Sequence, residues 1–507
     1  MAPSSAPASA SPAPLPTAWL AAFFVLVLVV FNANGREIGS YDTQSTKFTA
    51  WRLATQGDTS LDALIAEVPA LGERSGFGRD ARGTWRTRYP IVPALMAGIA
   101  GRLLHASGLV DLGPRYRANV LAKAYGSTMM ALAAVCAAIV ASRFTSRRRA
   151  MVVATALALG TGWWCTASQT VWQHETAIAC AMIALAAIVT ADGPLAAWQL
   201  ASISTLLGLS AAARLQASPV AITIGIGVLV GLRDRRRCVW LLPGVVLVAS
   251  VLWTNLAWFG HLLGGAAIFE TLHENIHGVS GSVANPAVGM AGLLASPSRG
   301  LLVFSPWLLV AGLARWTSAS PHRALLRLCA MGAFLQLVAY ACYSVWWGGH
   351  TYGPRYALDA LPLFVPLVAL GVDRLRRPSG LAWFAVATTW SVLVAAGGAF
   401  AYPADAWNTD PADVDRHHER LWDWRDPQFV RAWRHGLSDQ DFDFFRGQVC
   451  LMGVRSCLST FAAKGRKARP DPIKARPDPL QTRAHAANAG GAAMTPRFVV
   501  TSVSRRA

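Results

Sequence analysis

Charged residues are scarce in this chain. Asp, Glu, Lys and Arg together make up 14% of its 507 residues, and only seven residues are Glu. A soluble globular protein usually carries about 25% charged residues. Hydrophobic residues make up 53% of the chain, and the mean hydropathy is +0.36. This composition excludes a soluble protein, a disordered chain, a collagen and a coiled coil, and it predicts a membrane protein.

Several functional motifs are also missing. The chain has no Walker A loop, no G-x-G-x-x-G fingerprint and no G-x-S-x-G elbow, so nothing favours a nucleotide-driven pump or a serine hydrolase. It has no four-cysteine zinc pattern either. Six of the eight Cys lie in or beside apolar segments, where they are expected to be small buried residues. Cys450 and Cys457 lie in a polar tail, where a disulfide is possible.

Long apolar runs predict an all-α polytopic membrane protein with about 11 transmembrane helices. A spanning helix needs about 20 predominantly apolar residues. The segments that qualify, or nearly do, are residues 17–33, 118–141, 150–167, 176–191, 196–213, 219–232, 238–258, 299–314, 324–345, 356–372 and 380–401. A shorter run at 90–104 begins with two prolines and is predicted to lie at the interface. Residues 1–16 are rich in Ala, Ser and Pro and are predicted to be a disordered lead.

Clusters of Arg predict the orientation of these spans. Cytoplasmic loops of membrane proteins carry an excess of Lys and Arg. With 11 spans and the N-terminus inside, every cluster between spans is cytoplasmic: Arg143, Arg147, Arg148, Arg149, Arg233, Arg235, Arg236, Arg237, Arg315, Arg323, Arg327, Arg374, Arg376 and Arg377. The C-terminus is then outside.

The net charge of +19 has a simple distribution. The predicted cytoplasmic loops carry +11 and the tail from Phe461 carries +8, so the rest of the chain is neutral. A nucleic-acid-binding protein needs a basic face, and none remains to be assigned. The charge is therefore an orientation signal plus a basic tail, and no nucleic-acid partner is expected.

Polar residues concentrate on the predicted outer side. That side receives a first loop within residues 34–117, a loop at 259–298, a turn at 346–355 and the tail. All seven Glu fall there. Residues 402–460 are rich in Trp, Asp and Arg and are predicted to fold, whereas 461–507 contain few large apolar residues and are predicted to be disordered. A substrate that is lipid-linked or extracytoplasmic fits this asymmetry.

Candidate site residues lie at these outer positions. Asp42, with Glu37 nearby, follows the first span, where a carboxylate can act as a general base or hold a sugar hydroxyl. His174 and Glu175 open the fourth span and are candidates for binding substrate. Phosphate ligands are expected at helix starts beside Gly and Pro turns. The residues of that kind are Arg299, Arg355 and, less strongly, Arg214 and Lys123, and Tyr352 and Tyr356 flank Arg355. Each also has a structural explanation, such as a solvated acid, a helix cap or a snorkelling Arg.

One motif points to different chemistry. His273-Glu274-Asn275-Ile276-His277 matches H-E-x-x-H, in which two His bind zinc and the Glu acts as the base. Glu270 lies one helical turn earlier and could supply a third ligand. No third ligand occurs at a recognised spacing. A membrane zinc metalloprotease is therefore an alternative, and a divalent metal is the possible cofactor.

Together these features resemble the GT-C superfamily of membrane glycosyltransferases. The resemblance is to bacterial members related to the protein O-mannosyltransferase and aminoarabinose transferase group. It is carried by Asp42 in a long first outer loop, by the interfacial Tyr89-Pro90-Ile91-Val92-Pro93 and by basic residues at the outer mouths of spans. Residues 296–306, 347–362 and 420–424 look similar to a bacterial branch of the superfamily. The likeness covers roughly residues 17–429.

The resemblance implies a function. Such enzymes sit in the bacterial cytoplasmic membrane and move a sugar from a polyprenyl-phosphate carrier to an acceptor on the outer face. The acid of the first loop would be the base, here Asp42, and Arg355 and Arg299 would hold the lipid phosphate. Asp42 has no adjacent second acid, which departs from a common family pattern. Two further alternatives remain, a transporter or lipid flippase and a scaffold whose outer tail binds a partner.

Overall fold

The computed structural model of the protein describes residues 14–74, 76–265, 285–314, 323–401 and 404–436. These residues are mostly helical. Their α-helices are α1 (Thr17–Asn32), α2 (Tyr41–Gln56), α3 (Asp62–Glu67), α4 (Val92–Ala106), α5 (Arg117–Ser142), α6 (Arg147–Leu159), α7 (Gly162–Cys165), α8 (His174–Thr190), α9 (Ala197–Ala213), α10 (Ser218–Gly231), α11 (Leu242–Phe259), α12 (Pro286–Ala295), α13 (Leu301–Phe304), α14 (Arg323–Ala341), α15 (Leu361–Asp373), α16 (Pro378–Phe400) and α17 (Gln428–His435). Short 3₁₀ helices lie at Pro69–Leu71, Ala167–Gln169, Leu215–Ala217, Arg235–Leu241, Pro306–Leu313, Arg355–Ala360, Ala404–Asn408 and His418–Trp422.

Five of these helical stretches are long and apolar enough to cross a membrane: Arg117–Ser142, Arg235–Phe259, Arg323–Ala341, Arg355–Asp373 and Pro378–Phe400. A sixth is Arg147–Leu159 with Gly162–Gln169, which meet at a 43° bend. Only 11% of the apolar stretch within Arg235–Phe259 is buried inside the protein. So large an exposed apolar surface indicates contact with lipid rather than water.

The prediction of about 11 spans is not confirmed by helix length. Several predicted spans are helices of only 10 to 17 residues, among them α1, α8, α9 and α10. The predicted span 299–314 is divided at Pro306 into two short pieces, because proline cannot donate the backbone hydrogen bond that would continue a helix. The predicted interfacial segment at 90–104 is the helix α4.

Small residues let the helices pack closely. Ala side chains of α5, α6 and α8 are fully buried in the largest core. Where α9 meets α11, a Cβ on Gly244 would lie 2.1 Å from the Ser204 carbonyl oxygen. Glycine is therefore needed at this crossing, as is common between membrane helices.

A two-stranded hairpin lies between α3 and α4. Strands β1 (Phe77–Arg79) and β2 (Trp85–Thr87) are antiparallel, with Phe77 opposite Thr87. Asp80 holds the turn by accepting hydrogen bonds from the N–H groups of Arg82 and Thr84 at 2.9 and 3.0 Å. The hairpin leads directly into Tyr89 and α4, and α4 packs along α2. This arrangement places Tyr89 beside the start of α2.

Candidate active site

Asp42 lies in the first turn of α2, where a capping box fixes the backbone. Ser40 Oγ accepts a hydrogen bond from the Asp42 N–H at 3.2 Å, and the Ser40 N–H donates to Thr43 Oγ1 at 3.1 Å. A carboxylate at a helix N-terminus is stabilised by the helix dipole. The side chain of Asp42 is 35% exposed. Asp42 is thus held in a defined position and remains accessible to a substrate.

Two side chains hold the Asp42 carboxylate from distant parts of the chain. Tyr89 donates its hydroxyl to Asp42 Oδ1 at 2.8 Å, and Arg355 Nη1 lies 3.0 Å from Oδ2. Burial raises the pKa of the Tyr89 hydroxyl well above its ordinary value, and the Asp42 charge raises it further. Tyr89 therefore remains a hydrogen-bond donor at neutral pH. The predicted base and one predicted phosphate ligand are in direct contact.

Arg355 begins the 3₁₀ helix Arg355–Ala360, after a turn in which Gly348, Gly349 and Gly353 all have positive φ. Its guanidinium carbon lies 5.1 Å from the ring centres of both Trp172 and Tyr356. Within the described residues, Arg355 Nε is buried and has no hydrogen-bond partner. A planar cation held between aromatic rings, with a spare donor, suits an anionic group such as a phosphate.

A buried polar network lies directly behind Arg355 and centres on Asp359. Asp359 Oδ1 lies 2.7 Å from His174 Nδ1, and Oδ2 lies 2.8 Å from Arg214 Nε. Tyr340 also donates its hydroxyl to Oδ2 at 2.7 Å. The ring of Tyr340 stacks on that of Tyr356 at 4.5 Å. This network fixes the aromatic surface against which Arg355 lies.

The network places His174 and Arg214 one layer away from Asp42. The side chain of His174 is 1% exposed, and within the described residues its Nε2 has no hydrogen-bond partner. Glu175 is fully buried, and its Oε1 accepts a hydrogen bond from Thr176 at 3.2 Å. Arg214 is paired with Asp359, and its guanidinium carbon lies 5.6 Å from the centre of the Tyr356 ring that also contacts Arg355.

Glu37 lies at a separate open cleft of about 570 Å³. It pairs with Lys47 at 3.2 Å and accepts a hydrogen bond from Thr170. The cleft is lined by Glu37, Gln44, Lys47, Phe48, Glu67, Arg115, Tyr116 and Asn119. Charges of both signs and an aromatic ring suit a neutral polar molecule such as a saccharide. Lys123, deeper inside, donates to Gln169 and is fully buried.

Arg299 differs from the sequence-based expectation of a phosphate ligand. It is fully buried, and its N–H groups donate to protein acceptors. The acceptors are the carbonyl oxygens of Trp347, Ser298 and Gly349 and the side-chain oxygens of Gln428 and Asn408, at 2.7 to 3.2 Å. All five donors of a guanidinium are thereby used. Arg299 joins the turn at 346–355 to the segment 404–436.

Tyr352 also lies away from Asp42. Its hydroxyl donates to the Val394 carbonyl oxygen at 2.8 Å, and its ring packs against Phe304. Tyr352 therefore fixes the turn against α16 and does not face the Asp42 carboxylate. The proposed zinc ligands Glu270, His273 and His277, and also Cys450 and Cys457, lie outside the described residues.

Sequence reasoning did not identify Asp359 or Lys47, and it named Tyr89 only as part of an interfacial segment. Asp359 had a detectable signal, because an isolated acid in the apolar run 356–372 must be paired when buried. The contacts of Tyr89 and Lys47 had no local signal, since their partners lie 47 and 10 residues away in the sequence. The described residues also contain a cluster of metal-ligand type, His350 with Asp413 and Asp415, and neither Asp42 nor Arg355 belongs to it.

A scan against protein-family models finds no match, and neither does a search of curated proteins. The functional conclusion therefore depends on the geometry and chemistry of these residues.

Proposed function

We propose that this protein is an integral membrane glycosyltransferase that moves a sugar from a polyprenyl-phosphate donor to an acceptor hydroxyl. The transfer takes place on the outer face of a bacterial cytoplasmic membrane, in an eleven-span topology with the N-terminus inside. The observation that carries the proposal is the contact between the partly exposed Asp42 carboxylate and the guanidinium of Arg355. One residue can accept a proton, and the other can bind an anion.

In the proposed step, Asp42 accepts the proton that is released and Arg355 binds the phosphate that leaves. The acceptor oxygen forms a bond to the anomeric carbon while the bond from that carbon to the phosphate oxygen breaks. The phosphate leaves with the bonding electrons, and Arg355 stabilises the charge that develops on it. Asp42 takes the proton of the acceptor hydroxyl. The lipid phosphate competes for Arg355, and its arrival frees Asp42 Oδ2 to act as the base.

The supporting groups have defined positions. Tyr89 holds Oδ1 of Asp42 and leaves Oδ2 to face Arg355. The Asp359 network fixes Tyr356 beneath Arg355. The nearby cleft that contains Glu37 and Lys47 has the size and polarity to hold a sugar-bearing molecule. Preorganised charges of this kind stabilise a transition state without reorganisation.

The test uses purified full-length protein, a panel of polyprenyl-phosphate sugars and acceptors from membrane extracts. Asp42→Asn is expected to lower transfer by about 10²- to 10⁴-fold, the usual contribution of a general base. The matched control is Asp111→Asn, in the same outer loop, where Asp111 pairs with Arg117 at 2.7 Å and is 62% exposed. The control should transfer sugar at the wild-type rate. Equal rates for Asp42→Asn and wild type would refute the assignment of Asp42.

A lipid flippase or transporter is the second candidate. Lys123 and Glu175 are fully buried in α5 and α8, and ionisable residues inside membrane helices often mark transport pathways. Both lie near the beginning of their helices rather than at the middle, which favours the first proposal. In reconstituted vesicles, movement of the labelled donor across the bilayer without sugar transfer would favour the transporter.

A further inference from the structure

His350 meets two carboxylates that come from a distant part of the chain. It lies in the turn at 346–355, whereas Asp413 and Asp415 lie in the segment 404–436. His350 Nε2 is 2.9 Å from Asp413 Oδ1 and 3.1 Å from Asp415 Oδ2. One ring nitrogen thus faces two carboxylate oxygens at once.

This arrangement has the geometry of a metal centre. An imidazole N–H carries a single proton and makes one strong hydrogen bond, so a second carboxylate at a similar distance is not explained by that bond. Nitrogen and oxygen ligands lie about 2.0–2.2 Å from Zn²⁺, which places neighbouring ligand atoms about 3 Å apart. The two distances at His350 match that spacing. The three ligand atoms all lie within 4.8 Å of one another.

Neighbouring groups orient the ligands. Trp347 Nε1 donates to Asp415 Oδ1 at 2.7 Å and leaves Oδ2 toward His350. The Asp415 N–H donates to Asp413 Oδ1 at 2.9 Å. Hydrogen bonds from outside the ligand set usually fix metal-binding carboxylates in this way. The side chain of Asp415 is only 6% exposed, which strengthens its attraction for a cation.

The position attracts positive charge. Asp413 Oδ1 and Asp415 Oδ2 both face His350 Nε2, so two carboxylates converge on one point. Two carboxylates that converge on one point repel each other unless a cation lies between them. A divalent metal ion held at this point would relieve the repulsion.

We propose that His350, Asp413 and Asp415 bind a first-row divalent metal ion that joins the turn carrying Arg355 to the outer segment 404–436. One imidazole nitrogen with two carboxylate oxygens suits Zn²⁺ or Mn²⁺ better than Ca²⁺, which takes six to eight oxygen ligands. The site is distinct from the Asp42–Arg355 pair, and it does not depend on what reaction that pair performs. Its role is to hold the turn in place.

The experiment measures metal content and thermal stability of the full-length protein in detergent. The protein is treated with chelator, then incubated separately with Zn²⁺, Mn²⁺ and Mg²⁺ and desalted. Elemental analysis is expected to find about one more equivalent of Zn²⁺ or Mn²⁺ in wild type than in His350→Gln or Asp413→Asn. The same ions should raise the unfolding temperature of wild type by several degrees, because a ligand of the folded state stabilises it.

His417→Gln is the matched control. His417 also pairs with a carboxylate in this segment, Glu419 at 3.1 Å, but both are well exposed and neither belongs to the cluster. The control should keep the wild-type metal content and temperature shift. Equal metal content in wild type, His350→Gln and Asp413→Asn would overturn the proposal, and so would a wild type that retains no metal. In chelator alone, similar unfolding temperatures for all four proteins would show that the variants fold.

Discussion

Asp359 is the counter-charge of the buried Arg214. The same carboxylate oxygen accepts a hydrogen bond from the Tyr340 hydroxyl, and the other oxygen contacts His174. Asp359→Asn would leave the guanidinium without a counter-charge inside the protein. Breaking a buried ion pair by removing one partner costs about 3–5 kcal/mol. We expect the free energy of unfolding to fall by that amount in a detergent denaturation assay.

Asp373→Asn is the control for this substitution. Asp373 also pairs with an Arg, Arg149 at 3.1 Å, but its side chain is 45% exposed. Exposed ion pairs contribute about 0–1 kcal/mol. Equal losses of stability in Asp359→Asn and Asp373→Asn would show that the buried network does not hold the region together.

Substitution of Arg355 tests the proposed reaction directly, because Arg355 is the proposed ligand of the leaving phosphate. Arg355→Ala removes the cation that faces the leaving phosphate, and loss of such a group costs about 10²- to 10³-fold in rate. Arg355→Lys should restore only part of the rate, because an ammonium lacks the planar fork that stacks between Trp172 and Tyr356. Initial rates of sugar transfer measure the effect. Full activity of Arg355→Ala would contradict the role of Arg355 in stabilising the leaving phosphate. Arg416 is an exposed Arg of the segment 404–436, and Arg416→Ala should transfer sugar at the wild-type rate.

At the scale of single residues, the sequence indicated candidate residue types but not which of those residues contact one another. Gly and Pro turns marked Arg355 and Arg299 equally, yet the surrounding acceptors separate them. Arg299 meets carbonyl and amide oxygens that use all its donors, whereas Arg355 meets one carboxylate and two aromatic rings. Those partners come from segments up to 313 residues away. Contacts at such separation cannot be read from local pattern.

Among the helices, α9 and α11 cross so closely that their contact leaves no room for a side chain. Gly244→Ala would place a Cβ 2.1 Å from the Ser204 carbonyl oxygen, so the two helices must move apart. Overpacking of this kind costs about 1–3 kcal/mol. Gly225→Ala in α10 is the control, since its new Cβ would meet Leu207 at an ordinary 3.9 Å. It should be neutral or stabilise by about 0.5–1 kcal/mol, because alanine favours helix. Thermal unfolding in detergent compares the two.

The hairpin β1–β2 should weaken in acid. Burial raises the pKa of Asp80, but hydrogen bonds from Arg82 and Thr84 and the charge of Arg86 outweigh burial, so the pKa is lowered overall. The stability that Asp80 contributes is therefore complete above the ordinary carboxyl pKa of about 3.9 and is lost as the pH falls below it.

Asp80→Asn tests this dependence. It removes the ion pair with Arg86 and should lower the stability of the hairpin by about 1 kcal/mol at neutral pH. Hydrogen exchange of residues 77–87 should be faster in the variant at pH 7, after correction for intrinsic rates. The difference between the two proteins should shrink as pH falls below the ordinary carboxyl pKa. A difference that is independent of pH would rule out ionised Asp80 as the cause.

The apolar helices could be predicted from the sequence, because apolar composition is enough to identify them. The positions at which these helices begin and end could not be predicted in this way. The run 299–314 is apolar except for Arg299 and Ser305, but Pro306 divides it and Arg299 is bonded to the segment 404–436. The apolar run 150–167 bends where α6 ends at Gly160. Composition counts apolar residues, and only backbone geometry shows where a helix stops.

Over the whole molecule, buried polar groups gather near Asp42 and Arg355, while Arg clusters lie at the opposite ends of several helices. Arg143 and Arg147 flank the junction of α5 and α6, and Arg374 follows α15. Asp42, His174 and Arg355 lie at the N-terminal ends of α2, α8 and the 3₁₀ helix that precedes α15. The separation fits the positive-inside rule with the proposed site outside.

Cys238 provides a natural probe of this orientation. It is an exposed free cysteine within Arg235–Leu241, at the predicted cytoplasmic end of the span 238–258, where the sequence predicts a buried residue. A membrane-impermeant maleimide should therefore label Cys238 only after the cells are permeabilised. Ala81→Cys, in the exposed turn of the hairpin, should be labelled in intact cells when Cys238 is replaced by Ser. Labelling of Cys238 in intact cells would show that the Arg clusters lie outside and that the topology is inverted. Asp42 would then lie on the cytoplasmic face, where a donor in the outer leaflet could not reach it.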